Sequence, residues 1–113
     1  MITVKYYADN DGREISLSVK GHAGQSVIGQ DIICASASIL TYTAAKYAMS
    51  EECLSHLIRY PDIRMESGDA LIRLKLDTAS AFADTCKAFD VCLIGYRLLA
   101  DNFPQYVELI IVD

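Results

Sequence analysis

The sequence has no apolar run approaching the roughly 18–20 residues that a membrane-spanning helix takes, because Arg97 interrupts the longest candidate. A membrane partner is therefore not expected. Basic residues are also few. Ten Lys and Arg stand against fifteen Asp and Glu, a net charge of −5. Nucleic acid is not expected as a partner either, since phosphate binding needs a basic face, and the seven tyrosines show no stacking pattern beside a basic patch. The sign would suit a basic peptide or protein substrate. The opening residues Met1-Ile2-Thr3-Val4-Lys5 carry no basic segment, apolar stretch or cleavage site. The expectation is a reducing cytoplasm in which Cys34, Cys53, Cys86 and Cys92 are free thiols. Repeats, linkers and low-complexity segments are missing as well.

What is present is enough for one core and too little for two: 113 residues read as a single domain, 1–113. A hydrophobic fraction of 52% is slightly high for a free monomer of this size, so self-association as a homodimer through an apolar face is expected.

Ile2, Val4 and Tyr6 alternate with Thr3, Lys5 and Tyr7, and Ile15, Leu17 and Val19 alternate with Ser16, Ser18 and Lys20. Two half-buried strands joined at Asp9-Asn10-Asp11-Gly12 follow from that period of two. His22 shares the parity of the polar set, unless Gly21 breaks the register. Residues 23–30 read as a loop freed at both ends by Gly24 and Gly29. Asp31 is the expected N-cap of a small-residue helix over 32–49. Residues 53–60 read as a helix end and loop. Strands follow near 62–67 and 70–76, turning at Ser67-Gly68-Asp69. From about 79 to 101, Phe82, Cys86, Phe89, Leu93, Tyr96 and Ala100 recur at helical spacing and are expected to pack on the sheet. Asn102 and Pro104 mark the end of that helix. The run from Tyr106 to Val112 is apolar enough to predict a strand paired on both sides or buried. The order β-β-α-β-β-α-β makes this an α/β domain, two helices packed on a mixed β-sheet.

The chemistry-bearing residues are concentrated between positions 21 and 38. Gly21-His22-Ala23 sets an imidazole at the end of a strand, and Asp31-Ile32-Ile33-Cys34-Ala35 sets a thiol in what should be the first turn of a helix. Unpaired N–H groups there favour thiolate over thiol. The charge of Asp31 pulls the other way, and the sequence leaves the net sign open. An imidazole beside the thiol would stabilise the ion pair and could later protonate a leaving amine. The N–H groups of the same turn are candidate oxyanion donors. Ser38 lies one turn after Cys34 on the same face. On residue chemistry alone Cys34 is ordinarily a small core residue and His22 a surface or edge residue, which leaves a non-catalytic interaction module as the rival reading.

Gly21-His22-Ala23, Gly29, Asp31-Ile32-Ile33-Cys34-Ala35 and Ser38 together resemble the signature of the Prp family, the ribosomal-processing cysteine proteases. The likeness extends to the chain length, the amino-terminal hairpin and the element order. It implies a homodimeric cytoplasmic endopeptidase with Cys34 as nucleophile and His22 as general base. Asp31 would shape the helix start and Ser38 steady the site, under a mobile cover formed by loop 23–30 with Gly24 and Gly29. The implied substrate is a protein: the precursor of ribosomal protein twenty-seven of the large subunit, which loses an amino-terminal extension, or a phage capsid or scaffold protein. Val27-Ile28 and the long 50–60 stretch depart from the family pattern. No cofactor is implied. No metal is expected: Cys53 and His56 have a zinc-compatible spacing, but a structural site needs four ligands and the motif already claims Cys34 and His22. Cys86 and Cys92, six apart on one helix, point to different faces and read as core residues.

Overall fold

A computed structural model describes residues 1–23 and 28–112, with positions 28–31 described as backbone only. Strands β1 (Ile2–Asp9) and β2 (Glu14–Lys20) form the amino-terminal hairpin, followed by helix α1 (Ile28–Ala48) and a single turn of helix, α2 (Glu51–Leu54). A second hairpin, β3 (Asp62–Glu66) and β4 (Asp69–Lys75), leads into the long helix α3 (Ala79–Asn102) and strand β5 (Val107–Val112).

The five strands form one mixed sheet in the order β3-β4-β2-β1-β5, in which only the β1–β5 pair is parallel. Helix α1, with α2 behind it, carries the chain from β2 past β4 to the edge strand β3, and α3 carries it from β4 past β2 and β1 to β5. The period-two alternation aligns across the sheet. Val4 faces Val19, and Leu17 lies between Tyr6 and Ile72, all buried against the helices. Lys5, Ser16, Ser18 and Arg73 occupy the opposite face. From α3, Phe82, Phe89, Cys92 and Tyr96 complete the core, and Phe89 stacks on Tyr6 with ring centroids 6.3 Å apart. Burial of each large apolar side chain contributes roughly 1.5–3 kcal/mol.

Three sequence expectations change. Helix α1 begins at Ile28, so Gly29 lies in its first turn and Asp31 is its fourth residue, not its N-cap. A third helix, the single turn α2, joins the two expected, capped by the Ser50 hydroxyl, which accepts from the Cys53 N–H at 3.2 Å; its end at Leu54 and the loop after it fall where 53–60 reads as helix end and loop. Strand β5 is an edge strand, paired only with β1, and Ile111 and Val112 are exposed. Its apolar run reflects one face packed toward α3, not pairing on both sides. All four cysteines are free. No helix among the described residues is long and apolar enough to cross a membrane.

Candidate active site

At the end of β2, Gly21 takes φ +96°. A side chain could not replace its hydrogen, because a Cβ would run into the Met1 carbonyl. Its N–H donates to the Gly68 carbonyl at 2.9 Å. This left-handed step breaks the alternation of β2. His22 therefore leaves the polar face and joins a cavity between the sheet and α1. Its own carbonyl accepts from the Met1 nitrogen at 2.6 Å. The next residue, Ala23, is buried, and its N–H donates to the Cys34 sulfur at 3.4 Å.

That hydrogen bond makes direct contact between the segment carrying the imidazole and the thiol. Cys34 is half-buried and lines the same cavity of about 300 Å³ as His22 and Ser38. Ser38 is exposed, one helical turn beyond Cys34. Hence the structure brings three of the sequence-selected residues together. The side chain of Asp31, with Gly24 and the rest of positions 24–27, lies outside the described residues.

The electrostatic source expected for the thiol changes. As the seventh residue of α1, Cys34 is past the first turn, and its N–H falls within the regular helical ladder. It is therefore not a free oxyanion donor. A backbone donor reaches the sulfur from the other side instead, through Ala23. The other thiols are placed differently. Burial pushes Cys53, Cys86 and Cys92 up from the ordinary thiol range.

Two parts of the site escaped the sequence reading. Thr41 lies on the cavity floor, donates to the Ala37 carbonyl at 2.8 Å, and is 2.6 Å from the Tyr96 hydroxyl. Because the Thr41 proton is already committed, Tyr96 is the donor of the second bond. This ties α1 to α3 beneath the site. Gly68, in the β3–β4 turn, lies against the His22 ring. Ser67-Gly68-Asp69 announces a turn in the sequence, but nothing local says what the turn touches. Cys53 and His56, the zinc-like pair, are separated by burial: Cys53 is in the core, and the exposed His56 ring lies 3.1 Å from Asp77.

The family model described as "Cysteine protease Prp" matches residues 1–108. Among solved structures, the chain is similar to the ribosomal processing protease Prp from S. aureus with a covalently linked product peptide. There the identity is 20%, with 99% of this chain and 100% of that chain covered and a TM-score of 0.70. For SMU.848 from Streptococcus mutans the identity is 24%, the coverage 99% and 94%, and the TM-score 0.69. For S. aureus Prp with a substrate peptide they are 17%, 99% and 100%, and 0.68. At these identities the likeness shows the fold. No curated protein matches the chain.

Proposed function

Since this chain belongs to the Prp family of cysteine proteases, we propose that Cys34 is its nucleophile and His22 its general base. The observation that carries this reading is the thiol and the imidazole on one cavity, with the Ala23 N–H on the sulfur. The imidazole accepts the thiol proton, and the sulfur adds to the scissile carbonyl carbon, leaving a tetrahedral oxyanion. When that collapses, the C–N bond breaks, the imidazolium protonates the departing amine, and the acyl group stays on sulfur as a thioester. Water, deprotonated by His22, then adds to the thioester and releases the carboxylate and the thiol. Ser38, on the cavity wall, steadies the site.

The substrate we propose is a ribosomal protein precursor, that of protein twenty-seven of the large subunit, trimmed of its amino-terminal extension in the cytoplasm. The S. aureus relatives with this fold, named ribosomal processing proteases and holding a product or a substrate peptide, support this. The test is mass spectrometry of a bacterial precursor after incubation with the protein. One cut that removes the extension is expected. An intact precursor alongside a Cys34 that alkylates readily would overturn the ribosomal substrate and leave the protease in place.

The working unit we propose is a homodimer formed through the outer face of the helical layer. Leu40 of α1 lies against Gly95 of α3, and their neighbours Ile39 and Ile94 are both more than 60% exposed. Tyr42, Val91 and Leu98 extend the same apolar surface, which is larger than isolated exposed side chains require. Sedimentation should give twice the chain mass of 12.5 kDa, and Ile94→Arg should return it to a monomer. Wild-type protein that sediments as a monomer at assay concentration would exclude this arrangement.

A further inference from the structure

We propose that Gly68 is a positioning residue for catalysis: the β3–β4 turn is the wall that fixes the His22 imidazole relative to Cys34. The inference rests on the His22/Cys34 reading above and assigns a role to a hairpin distant in sequence from both.

Glu66 and Asp69 pair across the hairpin, so Ser67 and Gly68 alone make its turn. Gly68 takes φ +72°, as the second central residue of a type II turn does. A turn would be satisfied by any residue that tolerates this region, such as Asn. Two further contacts, which turn formation does not require, single out this glycine. Its carbonyl accepts the Gly21 N–H at 2.9 Å, which fastens the hairpin to the residue just before the imidazole. A Cβ at Gly68 would also collide with the His22 ring at Nε2, and would lie 2.8 Å from Cε1 and 3.1 Å from Cδ2. The imidazole thus rests on bare backbone, with Nε2 the ring atom nearest the position a Gly68 side chain would take.

The geometry holds both halves of the dyad. Gly21 sits between the Met1 carbonyl and the Gly68 carbonyl, and two residues later the Ala23 N–H reaches Cys34. A side chain on residue 68 must either push the ring off the turn or pull the turn away from Gly21. Both shift the imidazole relative to the sulfur, and a misplacement of about 1 Å is enough to cost on the order of 10²-fold in rate.

The test is a double-mutant cycle with Gly68→Asn, which tolerates the left-handed backbone, and His22→Ala, which removes the ring. The readout is the pH profile of Cys34 alkylation by iodoacetamide, with kcat and KM for peptide cleavage measured on the His22-containing proteins. In the wild-type background Gly68→Asn should lower neutral-pH alkylation by about tenfold or more and reduce kcat more than KM. In the His22→Ala background the same change should leave alkylation unaltered. Equal losses in both backgrounds would overturn the proposal, because the effect would then be a general disturbance of the turn. No loss in either would overturn it too. If His22→Ala itself leaves the wild-type alkylation profile unchanged, the dyad reading fails and the positioning role falls with it. Should Gly68→Asn fold poorly, the melting temperatures carry the same cycle: the destabilisation should shrink once the ring is removed, and an undiminished loss would overturn the role.

Discussion

Cys34→Ala is expected to abolish peptide cleavage, and His22→Ala to lower kcat/KM by at least about 10⁴-fold, with the double variant scarcely worse than either single one. That non-additivity follows if the two side chains perform one act. Without the sulfur there is no acyl acceptor. Without the imidazole the thiol proton has no acceptor, and the amine leaves unprotonated. Cys34→Ser should be nearly as inactive as Cys34→Ala, because an alcohol is far harder to ionise than a thiol and the Ala23 N–H alone cannot make up the difference. Iodoacetamide at neutral pH should label Cys34 selectively. Cys53 and Cys92 are buried, and desolvation pushes both of these thiols and that of Cys86 upward. In His22→Ala the neutral-pH labelling of Cys34 should fall sharply, while the other three thiols stay unlabelled. Full cleavage by His22→Ala, or label distributed evenly over the four cysteines, would refute the assignment.

The sequence exposes the proposed dyad but not its setting, and the division has a physical basis. Strands β1, β2 and β4 could be read because each has one face on the core, so apolar residues recur every second position. The thiol and the imidazole are also readable, since only twelve positions separate His22 from Cys34 in the chain. The start of α1 is hidden in the sequence because Asp31 before an apolar run has the form of an N-cap and Gly29 has the form of a breaker. Neither residue stops the helix, which extends back to Ile28. The consequence is chemical: Cys34 lies in the second turn of α1 and not the first, and the N–H that meets its sulfur is that of Ala23. An unbroken apolar run reads as a strand paired on both sides or buried, and it looks alike when only part of it is covered: in β5 buried Val107 is followed by exposed Glu108, and Ile111 and Val112, on opposite faces, are both exposed. Gly68 and the Thr41–Tyr96 bond were invisible for another reason. Both are contacts between segments far apart in the chain, and no local pattern encodes them.

Above pH 10 the fold is expected to lose stability steeply, chiefly through two tyrosines that take no part in the proposed chemistry. Tyr96 is fully buried and Tyr6 nearly so. Burial drives both phenols well above the ordinary tyrosine range. For Tyr6 the neighbouring Cys86 and Asp90 push the same way. For Tyr96 the Thr41 hydroxyl, turned to donate to the phenolate, opposes part of the rise. The sign follows from proton counting. Above about pH 10 the unfolded chain releases these protons while the folded chain keeps them, so the unfolded state binds fewer protons and stability falls as pH rises. Each phenol removes roughly 1.4 kcal/mol per pH unit once well above pH 10. By pH 12 the pair amounts to about 5 kcal/mol, which equals the lower end of ordinary domain stability. Cys53, Cys86 and Cys92 are shifted in the same direction and start the decline nearer pH 9. Circular dichroism at fixed temperature should therefore show cooperative unfolding between about pH 11 and 12. Tyr96→Phe should flatten the descent by one phenol while Thr41 keeps its bond to the Ala37 carbonyl. Tyr6→Phe should flatten it equally and also raise stability at neutral pH by about 1 kcal/mol, because the buried Tyr6 hydroxyl has no hydrogen-bond partner among the described residues. A melting temperature constant from pH 9 to 12, or a Tyr6→Phe variant with an unchanged descent, would show that these phenols ionise within the folded protein and that the tyrosine core is more open to water than its burial implies.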